Sequence, residues 1–562
     1  MMAKRWLRAC SSAVLAGALA VMACTPSQQA TADAAFANPV VQDLLSHVPA
    51  DTPYAWIGLE GSSRVFAEKM VKRAEPLLKQ AEGLLAAALA DNSSGGGESE
   101  RVARAIGTEL QGKLSLAGLQ QLGFDLDARA VVYGLGLLPA MRVHMADATA
   151  LKATIDRVQA ASGVQFPVAN HGGQDYWHKS DGKLEFVAAF VGNDFVAGVL
   201  VATPGPAHDN TLAVLFGQAK PERSLAEVTT LKDVIAAHQL GGFSAGFVDI
   251  RGLTEVLVGA GTGFNQETAT ALLAGQVPTP ECVAEYRGLA GLVPRVAFGT
   301  TRLDDMGVET RMVAELRADL LAGLAAVRTK VPGLDGATGK DVMFGMGSAV
   351  DVGQALALAK AQATIVDAAP FKCANLAWLN EAARGVIRGE PEAPPAVRGL
   401  RGFAFAVEDV TMAGFLPTNI RGFMTVGAAD PQGLIKTIKG LGGEEAAFIP
   451  DLAEEGVPQR LNFAGLPIPI PVDVFIAGRR DAGIAIAAGS DAEKRAGAIL
   501  VEQSEAKPLL VFHMNMGRFM KLMPSALQDS QTAIFSILGS QGYVVDTSDS
   551  GLVMRSWLNF AE

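Results

Sequence analysis

Gly136-Leu137-Leu138-Pro139, then Met141–Met145, then Asp147 followed by Leu151, Thr154 and Ile155, is an order of residues that the chain uses twice. It returns as Gly414-Phe415-Leu416-Pro417, Phe423–Val426, and Asp430 followed by Leu434, Thr437 and Ile438. In both places leucine, threonine and isoleucine stand at +4, +7 and +8 from the aspartate. An aspartate carboxylate satisfies free N–H groups in the first turn of a helix, and residues at +4 and +8 share one helix face. The pattern therefore predicts a strand leading into a helix that packs on a sheet, and predicts it in two copies.

Working outward, the copies stay in step. Phe186–Leu200 reads as a hairpin turning at Gly192-Asn193-Asp194, and Val474–Ala487 as one turning at Gly478–Asp481. Strand and helix follow at Phe243–Leu257 and at Leu509–Leu522. Each half closes on a hairpin, Arg295–Leu316 turning at Asp304-Asp305-Met306-Gly307 and Gly542–Phe560 turning at Asp549-Ser550-Gly551. Each also opens alike, with Tyr54–Leu59 before a helix at Ser63 and Val342–Met346 before a helix from Ser348. A repeat of this length is a duplicated domain and not a solenoid unit. The expected fold class is α+β: two duplicated lobes, 41–325 and 340–562, each a mostly antiparallel sheet packed by helices, joined across 317–340. Inside the first lobe one helix is expected from Ser63 to about Ala90 and another from Glu100 to Leu122, with the glycine-rich Asp91–Ser99 as a loop between them. In the second, Glu390–Pro395 is expected to be a proline-rich surface loop.

The first residues carry a different message. Lys4, Arg5 and Arg8 form a basic head, Ser11–Ala20 is a short apolar run, and Val21-Met22-Ala23-Cys24 precedes small polar residues. The run is shorter than the roughly 20 apolar residues a spanning helix needs, so it reads as a cleavable export signal. With Val21 at −3 and Ala23 at −1, it resembles the lipobox of bacterial lipoprotein precursors. That resemblance implies cleavage before Cys24, diacylglycerol on its thiol and a third acyl chain on its amine, which together anchor stably. Thr25 stands where the resemblance would place an inner-membrane retention aspartate, which favours the outer membrane. The domain order is then 1–23 signal, 24–40 polar tether, and order beginning near Val41.

Removing residues 1–23 leaves 539 of 562 residues and, with Lys4, Arg5 and Arg8 gone, takes the net charge from −11 to −14. That length needs more than one core. An acidic surface disfavours nucleic acid and anionic headgroups as partners. With 49% apolar and 19% charged residues the chain is globular, and its mean hydropathy of +0.25 fits either well-filled cores or an internal apolar site. Of four cysteines, Cys10 leaves with the signal and Cys24 is assigned to the lipid, which leaves Cys282 and Cys373, each shortly after a proline. Two lone cysteines in an oxidising compartment pair most simply with each other; no C-x-x-C favours a redox-active thiol instead.

No arrangement in the sequence amounts to an active site. Gly242-Phe243-Ser244-Ala245-Gly246 matches the nucleophile elbow, but the elbow needs a sharp strand-to-helix turn, and this run continues apolar into Phe247-Val248-Asp249-Ile250. None of the histidines at 47, 144, 171, 178, 208, 238 and 513 stands out as its triad partner. Gly336-Ala337-Thr338-Gly339-Lys340 fails the P-loop pattern at Asp341, and Gly259-Ala260-Gly261-Thr262-Gly263 follows a helix and not a strand. His171, Asp175 and His178 lack metal-site spacing, and Asp546–Gly551 reads as a hairpin turn, not a calcium loop. Leu466-Pro467-Ile468-Pro469-Ile470-Pro471 is apolar but unable to form a central strand, so it is either a buried crossing or an exposed contact lip.

The opening Pro49-Ala50-Asp51-Thr52-Pro53 before a strand, with the duplicated layout, resembles uncharacterised duplicated lipoproteins of bacterial envelopes, a resemblance that carries over no activity. The expectation is a non-enzymatic envelope lipoprotein without cofactor or metal, anchored to the membrane through Cys24 and facing the periplasm. Its role would be to bind or scaffold an envelope protein partner. The alternatives are a carrier of a lipid or other apolar ligand and, second, a serine hydrolase using Ser244.

Overall fold

The computed structural model describes residues 35–61, 66–73, 97–113, 115–124, 129–261, 263–273, 278–389, 394–413, 416–446, 448–452, 455–463, 472–502, 504–522 and 538–561. Among the described residues helices flank nineteen strands in antiparallel sheet, so the fold is α+β. The described residues divide into two compact units. The first runs to Pro278 and resumes over Tyr286–Met312; the second takes Thr279–Glu285 and everything from Val313.

In the first unit the strands are β1 (Tyr54–Gly58), β2 (Ala130–Leu135), β3 (Leu138–His144), β4 (Val168–His171), β5 (Gln174–Ser180), β6 (Leu184–Val191), β7 (Asp194–Val201), β8 (Ser244–Asp249) and β9 (Arg295–Asp304), the last pairing with β10 (Gly307–Glu315). Across the sheet they lie in the order β9-β8-β1-β2-β3-β7-β6-β5-β4. Ile57, Val131, Tyr133, Ala140 and Val196 point to one face, where helices Pro39–Ser46, Pro206–Leu215 and Thr230–His238 bury Val41, Leu44, Leu45, Leu212, Leu215 and Val234 against them.

In the second unit the strands are β11 (Phe344–Ser348), β12 (Leu400–Ala413), β13 (Leu416–Ala428), β14 (Gln459–Arg460), β15 (Val474–Arg479), β16 (Gly483–Ala488), β17 (Leu510–Asn515), β18 (Leu538–Thr547) and β19 (Gly551–Phe560). Their order is β19-β18-β17-β11-β12-β13-β16-β15-β14. The core of this sheet is built from small residues. Ala404, Ala406, Ala477, Ala485 and Ala487 lie fully buried with Val331, Leu334, Ala337 and helix Ala492–Ile499. The approach is so close that a Cβ on Gly345 would sit 1.7 Å from the Ala337 carbonyl oxygen, so no other residue fits there.

Local signals explain most elements. Asp147 and Asp430 accept hydrogen bonds from Ala150 and Gly433 N–H and start helices Ala148–Ser162 and Pro431–Gly442. The hairpins of both units turn where glycine, asparagine and aspartate cluster. Several expectations are corrected. The strand expected over Met141–Met145 begins already at Leu138 and ends at His144, with Gly136-Leu137 forming the turn from a preceding strand, β2. The helix expected over Glu100–Leu122 is two, Glu98–Leu110 and Leu116–Gln121, because Gly112 takes φ +72° and Ser115 caps afresh. The helix expected from Ser348 starts at Val352, capped by Asp351, because Ser348 still belongs to β11. Packing begins before Val41: Ala35 and Phe36 are already buried in the first core. The rest of the Ser63–Ala90 helix beyond residues 66–73, residues 91–96 and 390–393, and Gly414-Phe415 lie outside the described residues.

Candidate functional site

Two places in the described residues carry more than packing requires. The first is a hollow of about 290 Å³ in the first unit, lined by Asp43 and His47 at the end of the first helix, Arg142 and His144 on β3, Val191–Asp194 at the β6–β7 turn, and Phe216-Gly217. Arg142 sits on the inward face of its strand, 1% exposed. Its Nη1 donates to Asp194 Oδ2 at 2.8 Å and its Nη2 to the Leu215 carbonyl at 2.9 Å. Asp194 also takes His144 Nδ1, at 2.9 Å. An arginine this deep is tolerated because a carboxylate and a carbonyl replace its water. The satisfaction is incomplete. Arg142 Nε, His47 Nδ1 and Tyr133 Oη are buried with no hydrogen-bond partner among the described residues.

The environment acts on His47. Burial first, and the Arg142 charge second, lower its pKa to about 4, against smaller opposing effects of Asp43 and Asp194. His47 is therefore neutral in the folded protein at neutral pH. A depressed imidazole pKa means that the unfolded chain binds the proton more tightly. Its contribution to stability is complete above pH 6.5 and is lost as pH falls from there toward 4. Between pH 7 and pH 4 the protein is expected to lose about 2 kcal/mol relative to a His47→Asn variant, measured by denaturant unfolding of both at each pH. Parallel stability curves for the two proteins would refute this.

The second place is the sheet face of the second unit that lies opposite the alanines. Register aligns Tyr543, Phe512, Met346, Phe405, Met424 and Ile486 in one row across β18, β17, β11, β12, β13 and β16. Phe344 joins the row from beside it, its ring 5.6 Å from Phe512 and 6.0 Å from Phe405, while Phe512 stacks on Tyr543 at 5.4 Å. Helix Pro431–Gly442 covers the face toward Ile476 and Ile484, which are buried. The row itself stays half-buried, and Met424 is 41% exposed. Large apolar side chains left on an accessible face mark a contact surface.

The residues singled out in the sequence are distributed as follows. Cys24, the signal and the tether before Ala35 lie outside the described residues, as does Leu466–Pro471. Cys282 Sγ and Cys373 Sγ are joined at 2.09 Å. Beside them Glu285 accepts hydrogen bonds from the Lys372 and Cys373 N–H groups at 2.7 and 2.9 Å. Ser244 opens strand β8, paired between Gly58 and Thr300, with its Oγ 3.0 Å from Thr300 Oγ1; the helix after it starts only at Ile250, so the backbone at Ser244 is not an elbow. His171 and His178 are held apart on the β4–β5 hairpin. Asp175 accepts from Asn170, and His178 Nδ1 meets Glu185, which His208 Nε2 contacts from the other side, both at 2.8 Å. Among the described residues no three His, Cys, Asp or Glu side chains are placed to hold a metal, and no helix is long and apolar enough to cross a membrane. Asp335–Thr338 is a short 3-10 turn, and Asp546–Gly551 is the β18–β19 turn.

No family model, no curated protein and no solved structure matches this chain. Arg142, Asp194 and the apolar row were missed at the level of sequence. The row had a signal: Phe403-Ala404-Phe405-Ala406-Val407 and Phe344-Gly345-Met346-Gly347 alternate large and small with both faces apolar.

Proposed function

We propose that this chain is a non-enzymatic binding lipoprotein of the bacterial envelope, anchored through Cys24 in the outer membrane and facing the periplasm. Its bound partner is apolar and lies on the open face of the second unit's sheet. The observation that carries the reading is the Tyr543–Phe512–Met346–Phe405–Met424 row, which stays accessible although Ala404, Ala406, Thr425 and Val511 on the other face of the same sheet are buried. The mean hydropathy of +0.25 and the export signal that precedes Cys24 fit the same picture.

The two units are copies of one ancestral lobe in this reading. What supports it is that each sheet order converts into the other strand by strand, β9-β8-β1-β2-β3-β7-β6 against β18-β17-β11-β12-β13-β16-β15. In both, a buried residue on the middle strand stands five positions before the capping aspartate: Arg142 before Asp147, and Thr425 before Asp430.

Native mass spectrometry of the protein, extracted gently from its own host, tests the function. The expected result is a reproducible extra mass of several hundred daltons beyond the acyl groups, absent from a Phe405→Asp/Met424→Asp variant, together with release of a Cys24→Ala variant from membranes. A chain carrying its acyl groups and nothing else would overturn the reading. A protein subunit attached in place of the small ligand would turn it into a scaffold.

A further inference from the structure

We infer that the hollow at Arg142 in the first unit is a binding site for a small oxyanion, a carboxylate or phosphate group. The argument uses the correspondence between the two units and so rests on the duplication proposed above. Arg142 pairs with Val131 and Val196, and His144 with Asp194. At the matching positions of the second sheet, Thr425 pairs with Ala404 and Ala485, and Gly427 with Gly483. Thr425 is as buried as Arg142 and donates to the Pro332 carbonyl at 2.6 Å. The lobe is therefore completed in one copy by a hydroxyl and two glycines. The other copy places a guanidinium, an imidazole and a carboxylate there, groups that are costly to bury and that this architecture does not require.

What those groups leave over points to the ligand. Asp194 is occupied by Arg142 and His144, yet Arg142 Nε and His47 Nδ1, both on buried side chains that line the hollow, have no partner among the described residues. The space between them is kept open by Gly217, at φ +73°. A Cβ there would stand 2.8 Å from His47 Cε1 and 3.6 Å from Arg142 Nη2. Asn193 adds an amide at the rim. The charged groups near His47 are Arg142 and Lys220 on one side and Asp43 and Asp194 on the other, and Arg142 has the largest effect of the four. Asp43 is 65% exposed and solvated. The guanidinium Nε–H is always a donor, and a buried arginine N–H left without a partner among the described residues is chemistry suited to an oxyanion.

Equilibrium dialysis of the full-length protein in detergent, with labelled inorganic phosphate and labelled acetate at pH 7 against constant chloride, tests the assignment. The expected result is saturable binding of at least one probe at one per chain, weakened at least tenfold in Gly217→Ala. Lack of saturable binding by both probes overturns the site, and so does binding that Gly217→Ala leaves unchanged. The variant Arg142→Thr/His144→Gly/Asp194→Gly, which copies the second unit, separates the two ideas. If it folds and no longer binds, both stand. If it fails to fold, the correspondence between the units falls, while the wild-type binding result still decides the site.

Discussion

A Cys282→Ser variant is expected to lose about 4–5 kcal/mol of stability in the second unit. The bond closes a loop of 91 residues, and the entropy that such a closure removes from the unfolded chain sets that magnitude. The loss has a second source. Cys373 is 3% exposed, and its N–H and that of Lys372 are held by the Glu285 carboxylate, three residues after Cys282 on the same helix. Cutting the sulfur bond frees the turn of helix that carries Glu285, so those N–H groups return to water together with the loop. Trp378 and Trp557 report this unit and Trp56 and Trp177 the other, so urea unfolding of two proteins, each keeping one tryptophan pair, assigns the change. The midpoint seen by Trp378 and Trp557 should fall, and reductant should lower the wild type to the same value. A change under about 1 kcal/mol in either case would show that the loop is already restrained in the unfolded chain.

The elements readable in the sequence are those whose cause is local. Asp147 and Asp430 cap helices because their carboxylates reach N–H groups three residues on. The hairpin turns at Gly192-Asn193-Asp194 and Asp549-Ser550-Gly551 are visible because backbone conformation there depends on those residues alone. What was hidden depends on partners distant in sequence. Asp194 reads as a turn residue; only its pairing with His144, 50 residues earlier, makes it the counter-ion of Arg142. In the second unit the small residues face inward because Val331–Val342 crosses close over them, and the large ones are left on the open face. A rule that places the largest apolar residues in the core assigns those faces the wrong way round. The tightness of the crossing at Ala337, and not the hydrophobicity of Phe405, decides which side is buried.

Arg142→Ala is expected to destabilise the first unit by about 3–5 kcal/mol, whereas Arg142→Met combined with Asp194→Leu should cost no more than about 1–2 kcal/mol. The single change leaves a carboxylate, 9% exposed in its side chain, with His144 as its remaining side-chain partner among the described residues, and leaves the Leu215 carbonyl without the Arg142 donor. The carboxylate recovers part of its hydration only from the hollow it lines, while the Leu215 carbonyl stays inside the core. The double change removes both charges and refills much of the space with apolar volume, so the remaining penalty is imperfect packing and one unpaired carbonyl. Unfolding followed by Trp56 and Trp177 measures both variants. Equal losses would mean that the ion pair acts only as volume. A large loss for the single change with a small one for the double would show that the fold tolerates this charge pair without needing it. A polar pair that is dispensable for stability, in a hollow where Arg142 Nε has no partner among the described residues, is then accounted for by what it holds.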